Sequence, residues 1–210
     1  VSSAFGVIVT PDDVARAAIA TLRAWMPYYV AEVERQRGHV SGDPWPPAPL
    51  SYTAIAAGSI TTWPEDKQPA VVAICPGLAR QPELDGSGLY RATWRLGVGV
   101  MVSARDMDST DRMAGLYGAA ARAVIVQHPS LGGFAARSRW MDESLDDVPV
   151  DATRTLRAAV EEFEVDVDGV VSAADGPSEI PDPAPDPHDE WPEWPIADPV
   201  IVTTEPEPLT

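Results

Sequence analysis

Apolar and polar residues alternate without a fault over 90–103. Tyr90, Ala92, Trp94, Leu96, Val98, Val100 and Val102 fall on one parity, and Arg91, Thr93, Arg95, Gly97, Gly99, Met101 and Ser103 on the other. A period of two over that length predicts a strand with one face on a core. At roughly 3.3 Å per residue it would reach about 45 Å, far beyond the usual strand of five or six residues. Such a strand overshoots a small domain unless it curves or its end meets another chain. Gly97 and Gly99, on the polar parity, permit a bend or a close backbone neighbour.

The period changes elsewhere. Thr10-Pro11-Asp12-Asp13 has the chemistry of a helix start: a capping hydroxyl, a proline suited to the first turn, and two acids at the positive end of the helix dipole. Val14, Ala18, Leu22, Trp25, Tyr29 and Val33 then recur at helical spacing, with Gly38 as the stop. Pro27 predicts a kink, or a break with a second helix beginning there. The proline-rich stretch 39–68 predicts extended chain with a short strand near 52–60. The run Pro69-Ala70-Val71-Val72-Ala73-Ile74-Cys75 before Pro76-Gly77 reads as a buried strand, and 76–88 as a loop.

A second helix over 109–126 carries the stripe Met113, Leu116, Tyr117, Ala120, Val124 and Ile125, with small residues at Gly115, Gly118, Ala119 and Ala121 for close packing on a sheet. His128-Pro129 ends it, Leu131-Gly132-Gly133 turns, and 135–144 reads as a modest strand. Over 154–167 the apolar parity switches: Leu156, Ala158 and Val160 share one, Phe163, Val165 and Val167 the other. A β-bulge near Glu161-Glu162 would restore one buried face. A helix over 154–162 is the competing expectation, because Ala, Leu, Arg and Glu favour helices.

Composition then divides the chain. Of the formal charge of −17, the stretch 169–210 carries ten acids and no base, together with ten prolines. Few aliphatics remain there to build a core. The expected organisation is an α+β domain over 1–168, an antiparallel (mixed) sheet with long central strands flanked by helices, and an extended acidic, Pro-rich arm over 169–210. Trp191, Trp194, Val200, Ile201 and Val202 are the arm's anchors for a neighbouring subunit, since aromatics dominate interface energetics. So acidic a chain is poorly suited to grip a nucleic-acid backbone. No apolar run approaches the roughly 20 residues of a membrane span, and the start lacks the basic region of a secretory signal. A soluble protein of a reducing compartment, with no membrane partner, is expected.

Candidate chemistry is sparse. Cys75 is the single cysteine, which excludes an intrachain disulfide and a cysteine metal cluster. Asp106, Asp108 and Asp111 begin like a calcium loop, but the glycine position falls on Asp111 and the twelfth position is Tyr117. Helix capping accounts for them. His39, His128 and His188 lack ligand partners at useful spacing, and Gly86-x-Gly88 and Gly97-x-Gly99 are too incomplete for nucleotide loops. No catalytic, cofactor or metal site is expected.

Several segments taken together carry a resemblance. They are Trp25-Met26-Pro27-Tyr28-Tyr29 with Glu34-Arg35-Gln36-Arg37-Gly38, the strand ending in Pro76-Gly77, and Gly88-Leu89-Tyr90-Arg91-Ala92-Thr93-Trp94. Tyr117-Gly118-Ala119-Ala120-Ala121-Arg122, Gln127-His128-Pro129-Ser130-Leu131-Gly132-Gly133, and Arg154-Thr155-Leu156-Arg157-Ala158-Ala159 running into Phe163-Glu164-Val165-Asp166-Val167 complete the set. Over 11–167 the chain resembles the tail terminator (tail completion) proteins of long-tailed, siphovirus-like phages of actinobacteria. The motifs are packing patterns rather than a catalytic signature, and the arm is outside the likeness. The resemblance implies an α+β fold, no enzymatic activity and a hexameric ring in the virion. That ring caps the tail tube, ends its polymerisation and offers the head-docking surface. Partners would be further copies of the chain, the tail tube protein, head–tail connector proteins, and genomic DNA passing through the lumen. A connector or stopper ring, and a cytoplasmic binding module, are the alternatives. On the ring reading, Arg91, Arg95, Gly97 and Gly99 are subunit-contact or lumen positions.

Overall fold

The computed structural model describes residues 8–37, 48–55, 68–102, 107–149 and 155–173. Helix α1 (Pro11–Arg37) begins on a reciprocal cap. The Thr10 N–H and hydroxyl donate to Asp13 Oδ2 at 2.8 and 2.7 Å, and the Asp13 N–H donates back to Thr10 Oγ1 at 3.3 Å. The helix passes through Pro27 as a single element rather than breaking there. Pro27 and Arg23, whose carbonyl loses its helical donor, both lie on the solvent face, where water can replace the missing bond. The buried stripe is Val14, Ala18, Leu22, Met26 and Val30, whereas Trp25 is 43% exposed. The core therefore uses Met26 where helical spacing alone favours Trp25.

Strand β1 (Ser51–Ile55) lies parallel to β2 (Ala70–Leu78), and the remaining ladders are antiparallel. The two-residue strand β3 (Glu83–Leu84) pairs with the start of the long strand β4 (Leu89–Val102). Helix α2 (Met107–Gln127) follows, then a short 3-10 turn at Leu131–Gly133, β5 (Arg137–Pro149) and β6 (Thr155–Ser172). The sheet order is β1-β2-β4-β6-β5, a mixed sheet in an α+β domain. Strand β3 falls in the stretch 76–88 expected to be loop, and β2 continues past Pro76-Gly77 to Leu78.

Both helices pack on one face of this sheet. The even positions of β4, from Ala92 to Val102, meet Val71, Ala73 and Cys75 of β2 and Phe163, Val165 and Val167 of β6 beneath them. Tyr117, Ala120, Val124 and Ile125 of α2 close the core. Cys75 is an ordinary core residue, and burial pushes its thiol up to about 11. Gly118 sets how closely α2 approaches: a Cβ there would stand 2.8 Å from the Ala159 Cβ.

The parity switch in β6 has a different cause from the expected bulge or helix. From Ala92↔Val167 to Val102↔Arg157 the β4–β6 register is unbroken, so no residue is inserted at Glu161-Glu162. Instead the sheet buries apolar side chains on both faces at this end. Ala158 joins Ala70, Val72 and Met101 in a second cluster on the face away from the helices, with Val160 packed against it. Regular alternation then sends Glu161 into the main core, where it is fully buried. The irregularities lie elsewhere. Strand β5 has an extra residue, Met141, between Trp140↔Phe163 and Asp142↔Glu162. Strand β2 has one more residue than β4 between Ile74↔Gly97 and Gly77↔Arg95. Both flank the Leu96–Phe163 row, and a third irregularity lies near the start of β4, where β6 has two more residues than β4 between Tyr90↔Val171 and Ala92↔Val167.

Candidate functional site: the outer face of the sheet

The odd positions of β4 point away from both helices. Arg91 and Arg95 are exposed there, and Gly97 and Gly99 are half-buried. The structure thus brings these four expected interface positions onto one outer face. Trp191, Trp194, Val200, Ile201 and Val202 lie outside the described residues.

At one end this face is a lattice of cross-strand ion pairs. Arg91 binds Asp168. Arg137 binds Asp166 at 3.0 Å, and Arg139 reaches Glu164 at 2.9 Å and Asp166 at 3.5 Å. Arg80 also binds Glu164. Burial alone would raise the Asp166 carboxyl. The Thr93 hydroxyl donating at 2.8 Å, the Arg137 contact and the Arg139 charge outweigh it and hold the group below the usual carboxylate range. Glu164 lies opposite both Arg95 and Arg139, but Arg139 and Arg80 take its carboxylate. Among the described residues Arg95 is left with no ion-pair partner.

Arg95 instead edges a groove of 480 Å³ floored by Gly97 and bounded by Ile74, Pro76, Met141 and Glu162. The two bulges create it, since one displaces Pro76 and the other presents Met141, which is 56% exposed. Neither glycine meets the close backbone neighbour that its type permits. A Cβ on Gly97 would find the Ile74 carbonyl at 3.9 Å, and one on Gly99 nothing within 4 Å. Their effect is to keep the outer face shallow.

A second constellation, on the helix side, was not singled out from sequence. Glu161 Oε2 accepts the Trp140 indole N–H at 2.9 Å, while its buried Oε1 accepts no hydrogen bond. Arg122 Nη1 stands 3.8 Å from that Oε1, pairs with Glu143, and lies with its guanidinium 4.7 Å from the Trp140 ring centre. Burial is the largest influence on Glu161 and the Glu143 charge adds to it. Arg122 and the Trp140 hydrogen bond oppose them, leaving the carboxyl raised to about 7. The sequence did carry a signal, because Glu161 shares the parity of Phe163, Val165 and Val167.

The other candidates resolve simply. Asp111 is held by Arg157 at 2.7 Å, so it ties α2 to β6, and Asp108 sits in the first turn of α2. His128 stacks on Trp25 with ring centres 4.2 Å apart and approaches the Tyr29 hydroxyl at 3.3 Å. Among the described residues no three His, Cys, Asp or Glu side chains are grouped to hold a metal ion, and no helix is long and apolar enough to cross a membrane. The sequence matches no protein-family model and no curated protein.

Proposed function

We propose that this chain is a structural subunit of a phage tail terminator. On this reading it forms a ring, a hexamer by the resemblance, that caps the tail tube, stops its polymerisation and receives the head. The observation that carries the proposal is the outer face of β4. Both helices cover one side of the sheet, and the other side presents the odd positions of β4 from Arg91 to Gly99 with a shallow groove beside Arg95, which has no ion-pair partner among the described residues. A surface whose charges are mostly paired internally, with a largely apolar groove beside an arginine that has no ion-pair partner among the described residues, suits contact with another subunit better than contact with water alone.

On this reading the lumen would be lined by the surface with surplus acids. On the outer face arginines and acids largely neutralise one another. Strand β5 exposes Asp142, Glu143, Asp146 and Asp147; Glu143 is paired with Arg122 and Asp147 with Arg157, which leaves Asp142 and Asp146 without an ion-pair partner among the described residues. An acidic surface of that kind would repel DNA phosphates and let the genome slide past. The chain acts here without catalysis or cofactor; its partners are its own copies, the tail tube protein, connector proteins and the passing DNA.

Light scattering and electron microscopy of the full chain, alone and with polymerising tail tube protein, test the proposal. Rings at tube ends are the expected result. A chain that stays monomeric in both settings, or rings that bind a portal-side adaptor and ignore the tube, would overturn it, the latter in favour of a connector role.

A further inference from the structure

The cluster around Glu161 has parts that a purely structural contact would not need. The carboxyl is sealed in the core between α2 and the β5–β6 pair, yet only one oxygen is hydrogen-bonded. Among the described residues Arg122 is the cation that approaches it. It is 3.8 Å from the unbonded oxygen and engaged with Glu143 on the surface side. Its side chain is 29% exposed, so it reaches solvent and core alike. Gly118 leaves the space that the carboxylate occupies, since a Cβ there would stand 3.2 Å from Glu161 Oε1.

We propose that Arg122 is a proton-controlled latch between helix α2 and edge strand β5, shared between Glu143 and Glu161. With Glu161 protonated the core needs no counter-charge. Arg122 then stays on Glu143, lies over Trp140 and clips β5 to α2. Loss of the proton leaves a carboxylate in the core with one unsatisfied oxygen, which draws Arg122 inward and releases Glu143. The proton goes to solvent, and no covalent bond changes.

Among the described residues the charged groups facing Glu161 are few. Helix α2 brings Arg122 and β5 brings Glu143, while β4 places Val98 opposite. Burial first and the Glu143 charge second raise the proton affinity of Glu161, while Arg122 and the Trp140 hydrogen bond lower it, which together place the exchange near neutrality. The element released is the middle of the edge strand around Glu143, so the latch governs how firmly that stretch is held, while Asp147 further along stays tied through Arg157 to Asp111. It stands on this cluster alone and does not depend on the ring.

Trp140 is the natural reporter, because its indole binds Glu161 and its ring carries Arg122. In full-length protein labelled with 5-fluorotryptophan, the fluorine resonance lost in W140F identifies Trp140. It is expected to titrate once, between roughly pH 6 and 8. E161Q should abolish that titration, E143Q should move its midpoint down, and R122Q should move it up. A Trp140 resonance that ignores pH over this range, or one that titrates unchanged in E161Q, overturns the latch. If E161Q does not fold, the two opposite midpoint shifts decide the matter: shifts of the same sign, or none, overturn it.

Discussion

Gly118 and Ala159 approach so closely that a methyl group on the first would stand 2.8 Å from the Cβ of the second. Helix α2 rests on β6 at this point, and the neighbour is a short side chain that cannot swing away. G118A gains up to about 1 kcal/mol of helix propensity. Overpacking costs about 1–3 kcal/mol and should outweigh it. Urea unfolding is expected to show a net loss of roughly 1–2 kcal/mol. In G118A/A159G much of that loss should return, a coupling that a double-mutant cycle reads directly.

Stability should fall as pH rises through neutrality, and Glu161 is the reason. Its carboxyl is raised in the folded state from 4.5 to about 7. The folded chain therefore binds a proton more tightly than the unfolded chain does. The associated stability is fully present below pH 4.5 and is lost as pH rises through about 7. At 1.36 kcal/mol per pH unit the full effect is roughly 3 kcal/mol. E161Q keeps an acceptor for Trp140 without the charge. Chemical denaturation at a series of pH values should find it more stable than the parent at pH 8 and flatter across the window.

The cap of α1 responds in the opposite direction. Hydrogen bonds from the Thr10 hydroxyl and N–H hold the Asp13 carboxyl below its ordinary range. The stabilisation is present above pH 3.8 and fades as pH falls through the lowered folded value. T10A and D13A are each expected to cost about 1 kcal/mol at neutral pH. Because the two side chains cap each other, the double variant should cost less than the sum.

Assembly should depend on the outer face far more than folding does. R95E places an acid beside Glu162 at the rim of the groove, and G97V fills its floor. Neither side chain enters the core, so melting temperatures should stay close to that of the parent. Native mass spectrometry should show ring assembly lost in both. R91E, which breaks the pair with Asp168 at the far end, should have the smaller effect on assembly.

Much of the fold was written in the periodicity, and the exceptions share a cause. The alternation over 90–102 became β4, with its even positions from Ala92 to Val102 in the core. The Thr10–Asp13 signature became a cap, and the apolar run before Pro76 became a strand buried on both faces. The long strand expected over 154–167 is present as β6, but the bulge read into it is not, because that reading assumed one buried face per strand. Ala158 and Val160 are apolar because the sheet has a second cluster there, and Glu161 keeps a regular register by entering the core. The helix stripe erred at Trp25 for a related reason. Hydrophobicity alone does not separate a residue inside the core from one stacked at its margin on His128. At the outer face, Arg91, Arg95, Gly97 and Gly99 were legible from parity. The groove between them was not, because it arises from two bulges on strands far apart in sequence.

The place of β6 between β4 and β5 also dictates the order in which the sheet can close. The β5–β6 hairpin is local, but β4 finds its long partner only across α2 and the whole of β5. Contacts that distant carry a large loop-closure cost and are slow to form. During synthesis β4 must wait, with one edge unpaired, until the chain has been made as far as Ser172. The central β4–β6 ladder is therefore, with β5–β6, among the last parts of the sheet that translation allows to form.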